Sequence, residues 1–136
     1  MSRKLKPGDR IFLEGELGTG KSTFARFLLE ALGQSDLAEG SPTFPIAHEY
    51  ETRSGSVIHI DFYRLKSEAE IEAAGILSYF WERQAIVITE WFSQWKKLTT
   101  AVRKEAKRQD NRVFQVQLKF TETNPDLREV QVKQIS

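Results

Sequence analysis

Apolar residues recur along this chain with two spacings, one near two and one near four, and the switches between them outline the elements. Arg10 to Glu14 carries the run Ile11, Phe12, Leu13 directly behind the turn residues Pro7, Gly8 and Asp9, which predicts a short strand. From Phe24 to Leu32 the apolar positions fall on a helical stripe, and Gly33 supplies a stop. Residues 33–41 are polar and glycine-bounded, so they predict a surface loop leading through Ser41, Pro42 and Thr43 to Phe44. Two β-patterned stretches follow, Phe44 to Thr52 and Val57 to Tyr63, separated only by Arg53, Ser54, Gly55 and Ser56. That gap suits a hairpin, whereas a parallel crossover needs about a dozen residues or more, so this pair is expected to be antiparallel.

Ser67 and Glu70 have the spacing of a capping box and predict a helix start, with an interruption at Gly75 and a second short turn from Ile76 to Trp81. Ala85, Ile86, Val87 and Ile88 are apolar at every position, the pattern of a parallel strand covered on both faces. Thr89, Glu90 and Trp91 stand at its carboxyl end. Ligands of open α/β sheets bind beyond the carboxyl ends of the strands, so Glu90 is a functional candidate from topology alone. Ser93 to Gln109 is helix-permissive but weakly amphipathic, and Val113 to Phe120 and Arg128 to Ile135 read as two terminal strands joined through Asn124, Pro125 and Asp126. The order predicts an α/β protein: a three-layer fold with a mostly parallel sheet, an inserted antiparallel hairpin and C-terminal antiparallel strands. No repeat or low-complexity tract divides residues 1–136, so one domain is expected.

Between the first strand and the first helix, Gly15, Glu16, Leu17, Gly18, Thr19, Gly20, Lys21 and Ser22 match G-x-x-x-x-G-K-[ST] in full, with Thr23 next. Strand, loop and helix N-terminus come in the order a P-loop requires, and nucleotide phosphate becomes the expected ligand. The glycines let backbone N–H groups turn inward around phosphate oxygens, where a Cβ would obstruct the approach. Lys21 is expected to reach the β- and γ-phosphates and Ser22 to face Mg²⁺. The alternative is a glycine-rich turn with an exposed lysine.

Composition narrows the classes further. There are no cysteines, which excludes disulfides and thiolate metal sites, and two histidines are too few to build a histidine zinc site. No apolar run approaches the roughly 20 residues of a membrane span, and a cytoplasmic protein is expected. The formal net charge of +1 argues against nucleic-acid binding through overall charge. Charge is nonetheless uneven: Lys96 to Arg112 is strongly basic, which reads either as a solvated helix face or as a contact for nucleic acid or a partner.

Phosphoryl transfer from ATP needs a phosphate cradle, a metal and a group that positions the nucleophile. Glu90 fits the acid at the end of a second core strand that serves the metal directly or through water. Asp61 lies within a strand pattern in which Val57, His59, Asp61 and Tyr63 share one face and Ile58, Ile60 and Phe62 the other. It either points toward the phosphates or pairs with Arg64. Thr43, behind a proline in a loop, either senses the γ-phosphate as a switch residue does or merely leads into the strand. Trp91 reads as packing or as an interface aromatic, and His48 and His59 as hydrogen-bonded strand residues.

Four segments in order, Gly15 to Thr23, Ser41-Pro-Thr-Phe44, His59-Ile-Asp-Phe-Tyr-Arg-Leu65 and Thr89-Glu-Trp91, resemble the bacterial TsaE family of P-loop ATPases in tRNA threonylcarbamoyladenosine (t⁶A) biosynthesis. The resemblance spans about residues 8 to 92. It implies that Gly15 to Thr23 bind ATP, that Ser22, Glu90 and Asp61 serve Mg²⁺, and that Lys21, Thr43, Asp61 and Glu90 form the hydrolytic and switch apparatus. It also implies a weak ATPase acting on TsaB and TsaD partners, with tRNA contact open to the basic segment Lys96 to Arg112. Glu16 stands where the family commonly has Asp and Ser22 where it has Thr, changes that keep the chemistry. Phe92 and Ser93 replace the usual proline and acid, and only seven residues precede Gly8 where the family usually has a further helix. Two rivals remain: a small-molecule kinase using Arg103 to Arg112 as a basic lid, and a nucleotide-dependent binding module with negligible turnover.

Overall fold

The pattern of buried strands resolves into one sheet in a computed structural model that describes residues 5–15, 21–33, 41–44, 47–62, 66–73, 78–81, 84–92, 94–120 and 128–135. The elements are β1 (Arg10–Glu14), α1 (Lys21–Ala31), β2 (Ser41–Phe44), β3 (Ala47–Thr52), β4 (Gly55–Asp61), α2 (Glu68–Ala73), α3 (Ser78–Trp81), β5 (Ile86–Glu90), α4 (Lys96–Arg108), β6 (Val113–Phe120) and β7 (Arg128–Gln134). Seven strands form a sheet in the order β2-β3-β4-β5-β1-β6-β7. Its middle, β4, β5, β1 and β6, is parallel. Antiparallel strands flank it, β3 and β2 on one side and β7 on the other.

Two apolar clusters make the protein three layers thick. Ile11 and Leu13 of β1 join Ala25, Leu28, Leu29 and Leu32 on the α1 face, while Phe12 of β1 joins Ile71 of α2, Phe80 of α3 and Leu98, Val102 and Ala106 of α4 on the other. Every residue of β5 is buried, as expected of a strand with helices on both faces. The capping box closes in part as predicted: the Glu70 N–H donates to Ser67 Oγ at 3.2 Å, and Glu70 Oε2 accepts the Lys66 N–H at 2.6 Å.

Three local expectations change. Ser41–Phe44 forms the edge strand β2, with a register shift between Pro42 and Phe44, rather than a loop; pairing with β3 satisfies backbone groups that a buried loop would leave open. The hairpin turn is tighter than four residues, because Thr52 already pairs with Gly55. Gly55 takes φ 112, and Thr52 Oγ1 bonds within the turn to Gly55 O at 2.7 Å and Ser54 N at 3.1 Å. Helix α4 is firmly amphipathic, because one buried residue per turn at Leu98, Val102 and Ala106 suffices on a sheet and leaves the other positions polar. Glu90 is the last residue of β5, at the carboxyl end where it was expected. Tyr63, Arg64 and the expected break at Gly75 lie outside the described residues.

The end of the sheet away from Gly15 is held by charge. Asp9, fully buried, accepts Arg112 Nε at 3.0 Å and Nη2 at 2.6 Å, and also the Lys6 N–H at 2.9 Å. Arg10 donates to the carbonyls of Ala85 at 2.7 Å and Phe80 at 3.1 Å. Burial pulls its guanidinium down to about 10, with Asp9 acting in the opposite direction. Among the described residues no helix is long and apolar enough to cross a membrane.

Phe92, directly after the carboxyl end of β5, is the hub of the aromatic core. Its ring meets Phe12 edge-on at 5.3 Å, Phe62 at 4.6 Å and Phe80 in a stack at 5.3 Å. Phe92→Ala should lower stability by about 3–5 kcal/mol in a urea titration, the usual cost of emptying such a site. A loss below about 1 kcal/mol would remove Phe92 from that role.

Candidate phosphate site at the carboxyl ends of β1, β4 and β5

Strand β1 delivers the chain to Gly15 at φ 149, a backbone conformation strained for residues with a Cβ. Residues 16–20 lie outside the described residues, and α1 opens at Lys21 with no acid in its first turn. A helix N-terminus without carboxylates is electropositive and receptive to anions.

Lys21 turns back into the protein rather than out to solvent, and it is 5% exposed. Its Nζ donates to the Gly15 carbonyl at 2.6 Å and sits 4.1 Å from the centroid of the Trp91 ring. Desolvation pushes the ammonium pKa below its ordinary value, while the carboxylates of Glu90 and then Asp61 pull it back up. The exposed-lysine alternative is therefore overturned.

Parallel pairing brings the acids to this cation. Glu90 of β5 registers with Leu13 of β1 on one side and Asp61 of β4 on the other. Glu90 is almost wholly buried, and its Oε2 lies 2.6 Å from His59 Nε2. The Phe62 N–H donates to the Glu90 carbonyl at 2.9 Å, which fixes the two strand ends together. Trp91 then takes φ 63, left-handed for a residue with a large side chain. Such strain, of order 1–3 kcal/mol, persists where surroundings over-determine it and gathers at functional sites. Here the buried Phe92 on one side and the Lys21 contact on the other hold it.

Of the residues expected from sequence, Gly15, Lys21, Asp61 and Glu90 come together. Glu16, Leu17, Gly18, Thr19 and Gly20 lie outside the described residues; Ser22 and Thr23 are placed in the first turn of α1. Thr43 lies in the edge strand β2, which β3 and β4 separate from β5 in the sheet order. Two members were not anticipated as such. His59 was read as a bonded strand residue, and it is one, but its partner is Glu90; its shared strand face with Asp61 was the available signal. Trp91 carried none.

A divalent cation suits these groups. Hard cations take oxygen ligands, and Mg²⁺ usually combines one or two carboxylates with substrate phosphates and water. Glu90 and Asp61 offer the carboxylates, beside the buried Lys21 ammonium. No cluster of three or more His, Cys, Asp or Glu able to hold a metal occurs among the described residues, so phosphate and hydroxyl oxygens would complete the shell.

A glycine turn from a parallel core strand, a helix opening on a buried lysine and an acid ending the neighbouring strand define an α/β domain of the P-loop type. The family model described as "Threonylcarbamoyl adenosine biosynthesis protein TsaE" matches residues 1–124, and the chain belongs to the TsaE family. It is similar to the tRNA threonylcarbamoyladenosine biosynthesis protein TsaE of Aquifex aeolicus, 41% identical over 87 residues, 62% of this chain and 65% of the relative. The protein of that name from Bacillus subtilis is 41% identical over 86 residues, 63% of this chain and 52% of the relative. The one from Rickettsia felis is 33% identical over 100 residues, 74% and 57% respectively. The chain thus spans about half to two thirds of the length of these relatives.

Because the Glu90 carboxylate raises the Lys21 pKa, Glu90→Gln should make Lys21 titrate at lower pH than in the wild type, read by NMR of the side-chain ammonium. An unmoved titration would show that the two groups are not electrostatically joined.

Proposed function

We propose that residues 1–136 act as one Mg²⁺-dependent ATPase domain of the cytoplasm whose hydrolysis drives the cycle of the TsaB and TsaD proteins in t⁶A formation on tRNA. The observation that carries the reading is the buried Lys21 ammonium between the Gly15 carbonyl, the Trp91 ring and the Glu90 and Asp61 carboxylates. An ammonium held at this point by a backbone carbonyl and two acids is placed to meet the β- and γ-phosphates of a bound ATP. Membership of the TsaE family supports the pathway.

In this reading the backbone from Gly15 to Thr23 cradles the phosphates, with Lys21 exchanging the Gly15 carbonyl for phosphate oxygen. Ser22, Glu90 and Asp61 would hold Mg²⁺, which when bound neutralises developing phosphate charge. His59 holds the Glu90 carboxylate in one orientation. Trp91 and Phe92 close the apolar side of the site, strengthening every charge interaction within it. Thr43 would act as a γ-phosphate sensor only if the β2 edge leaves β3, and the register shift between Pro42 and Phe44 weakens that ladder.

The kinase rival loses its lid. The buried stripe of α4 is packed on the sheet face opposite α1, and Arg112 is bound to Asp9 at the far end of the strands.

Lys21→Ala should abolish phosphate release from ATP and weaken nucleotide affinity at least tenfold while leaving the fold intact by circular dichroism. Wild-type turnover in the folded variant would remove the P-loop from the reaction. For the partners, a TsaB and TsaD complex should bind this chain more tightly with a non-hydrolysable ATP analogue than with ADP, and Thr43→Ala should narrow the difference. Equal affinities in both nucleotide states would end the switch.

A further inference from the structure

Helix α4 carries exposed Lys96, Lys97, Arg103, Lys104, Lys107 and Arg108. One bland account is that cations near a helix C-terminus complement its dipole, which covers Lys107 and Arg108. It fails for Lys96 and Lys97. They stand in the first turn, where the dipole opposes positive charge, with no acid among them and no side-chain cap from Trp95. A second bland account is internal pairing, and it too covers only part of the segment. Arg108 holds Glu105 at 2.6 Å, and Arg112 holds Asp9. Lys104 and Lys107 make no ion pair among the described residues.

The remaining charge lines a depression rather than a convex surface. Thr100, Arg103, Lys104 and Lys107 of α4, with Ile135 after β7, enclose a groove of about 390 Å³. Its geometry is fixed from both sides. Arg103 Nη2 donates to the Ile135 carbonyl at 2.9 Å, and the Ile135 N–H donates to Val113 O at 2.8 Å. Strand β7 adds a further cation. Lys133 registers with Gln115, and alternation from Ile135 places it on the α4 face of the sheet. The nearest acid on the helix, Glu105, is already engaged by Arg108 and Gln109.

We infer that this groove is a binding site for the phosphodiester backbone of RNA, separate from the P-loop. It is on the sheet face opposite α1, beside Val113 at the start of β6, whereas Gly15 follows the other end of β1. Lys96 to Lys107 spans about 16 Å along the helix, which makes a row of cations. A row of regularly spaced anions suits such a row, and Arg and Lys are the side chains that most often meet phosphates. An acidic protein is the less favoured occupant, because interface cores need apolar or aromatic anchors. Among the described residues the exposed large apolar side chains are elsewhere: Val130 and Val132 pair with Leu118 and Val116 on the α1 face, and Phe27 belongs to α1 itself.

This inference rests on the proposed role in tRNA modification, and its test separates the two. An unmodified tRNA transcript is titrated with the full chain, without nucleotide, from about 50 to 200 mM salt. The wild type should bind with a steep salt dependence. Replacing Lys104, Lys107 and Lys133 together with Ala should weaken binding at least tenfold at the lowest salt. It should also reduce the log–log salt slope by roughly 2 to 3, since each of the three lost phosphate contacts removes roughly 0.7–0.9. Thermal stability and ATP hydrolysis should not change in this variant. Equal affinity and slope in the two proteins would overturn the groove while leaving the ATPase reading in place. So would an absence of wild-type binding, or a polyglutamate peptide that displaces the transcript as well as unlabelled tRNA does.

Discussion

The parallel insertion of β5 between β4 and β1 is the constraint on which the site depends, because its register places Glu90 level with both Asp61 and Leu13. A carboxylate that is almost fully buried is tolerated only with partners, and two are at hand: the His59 ring at 2.6 Å and the ammonium of Lys21. Lys21 in turn is tolerated only because those carboxylates offset its desolvation. Sheet register and site charge therefore stabilise each other. A slip of one residue in β5 would turn Glu90 to the other face and take from the lysine the carboxylate that acts on it most.

The strain at Trp91 belongs to the same economy of charge and packing. Its φ of 63 redirects the chain abruptly at the end of β5, so that one residue presents its ring to Lys21 while the next buries in the cluster with Phe12, Phe62 and Phe80. Rigid packing behind a polar site keeps it preorganised, and a preorganised site spends less on rearrangement when ligand arrives. At the opposite end, Asp9, Arg10 and Arg112 fix the strand starts with buried charge of a purely structural kind. A shifted pKa alone, such as that of Arg10, is therefore no mark of function in this fold.

The elements most legible in the sequence are those dictated by local rules. The run from Ala85 to Ile88 has the pattern of a doubly covered strand, the short gap after Thr52 called for an antiparallel hairpin, and the octet from Gly15 to Ser22 pointed to a phosphate ligand. Motif, alternation and strand-end position each single out one residue, Lys21, Asp61 and Glu90, and the fold brings the three together. What escaped depends on contacts between distant segments. The edge strand at Ser41–Phe44 exists because β3 offers it a ladder, which no local pattern records. The His59–Glu90 contact needs the β4–β5 register. The amphipathic stripe of α4 was underrated because three buried residues suffice when the partner surface is a flat sheet.

The account stands or falls on whether the buried ammonium recognises the outer phosphates of a nucleotide. Equilibrium binding of ATP, ADP and AMP in magnesium, by calorimetry on the wild-type chain, tests this directly. Lys21 should favour ATP and ADP over AMP by at least tenfold, because AMP offers no β-phosphate to replace the Gly15 carbonyl. Equal affinity for all three nucleotides would contradict the assignment of Lys21, and with it the site.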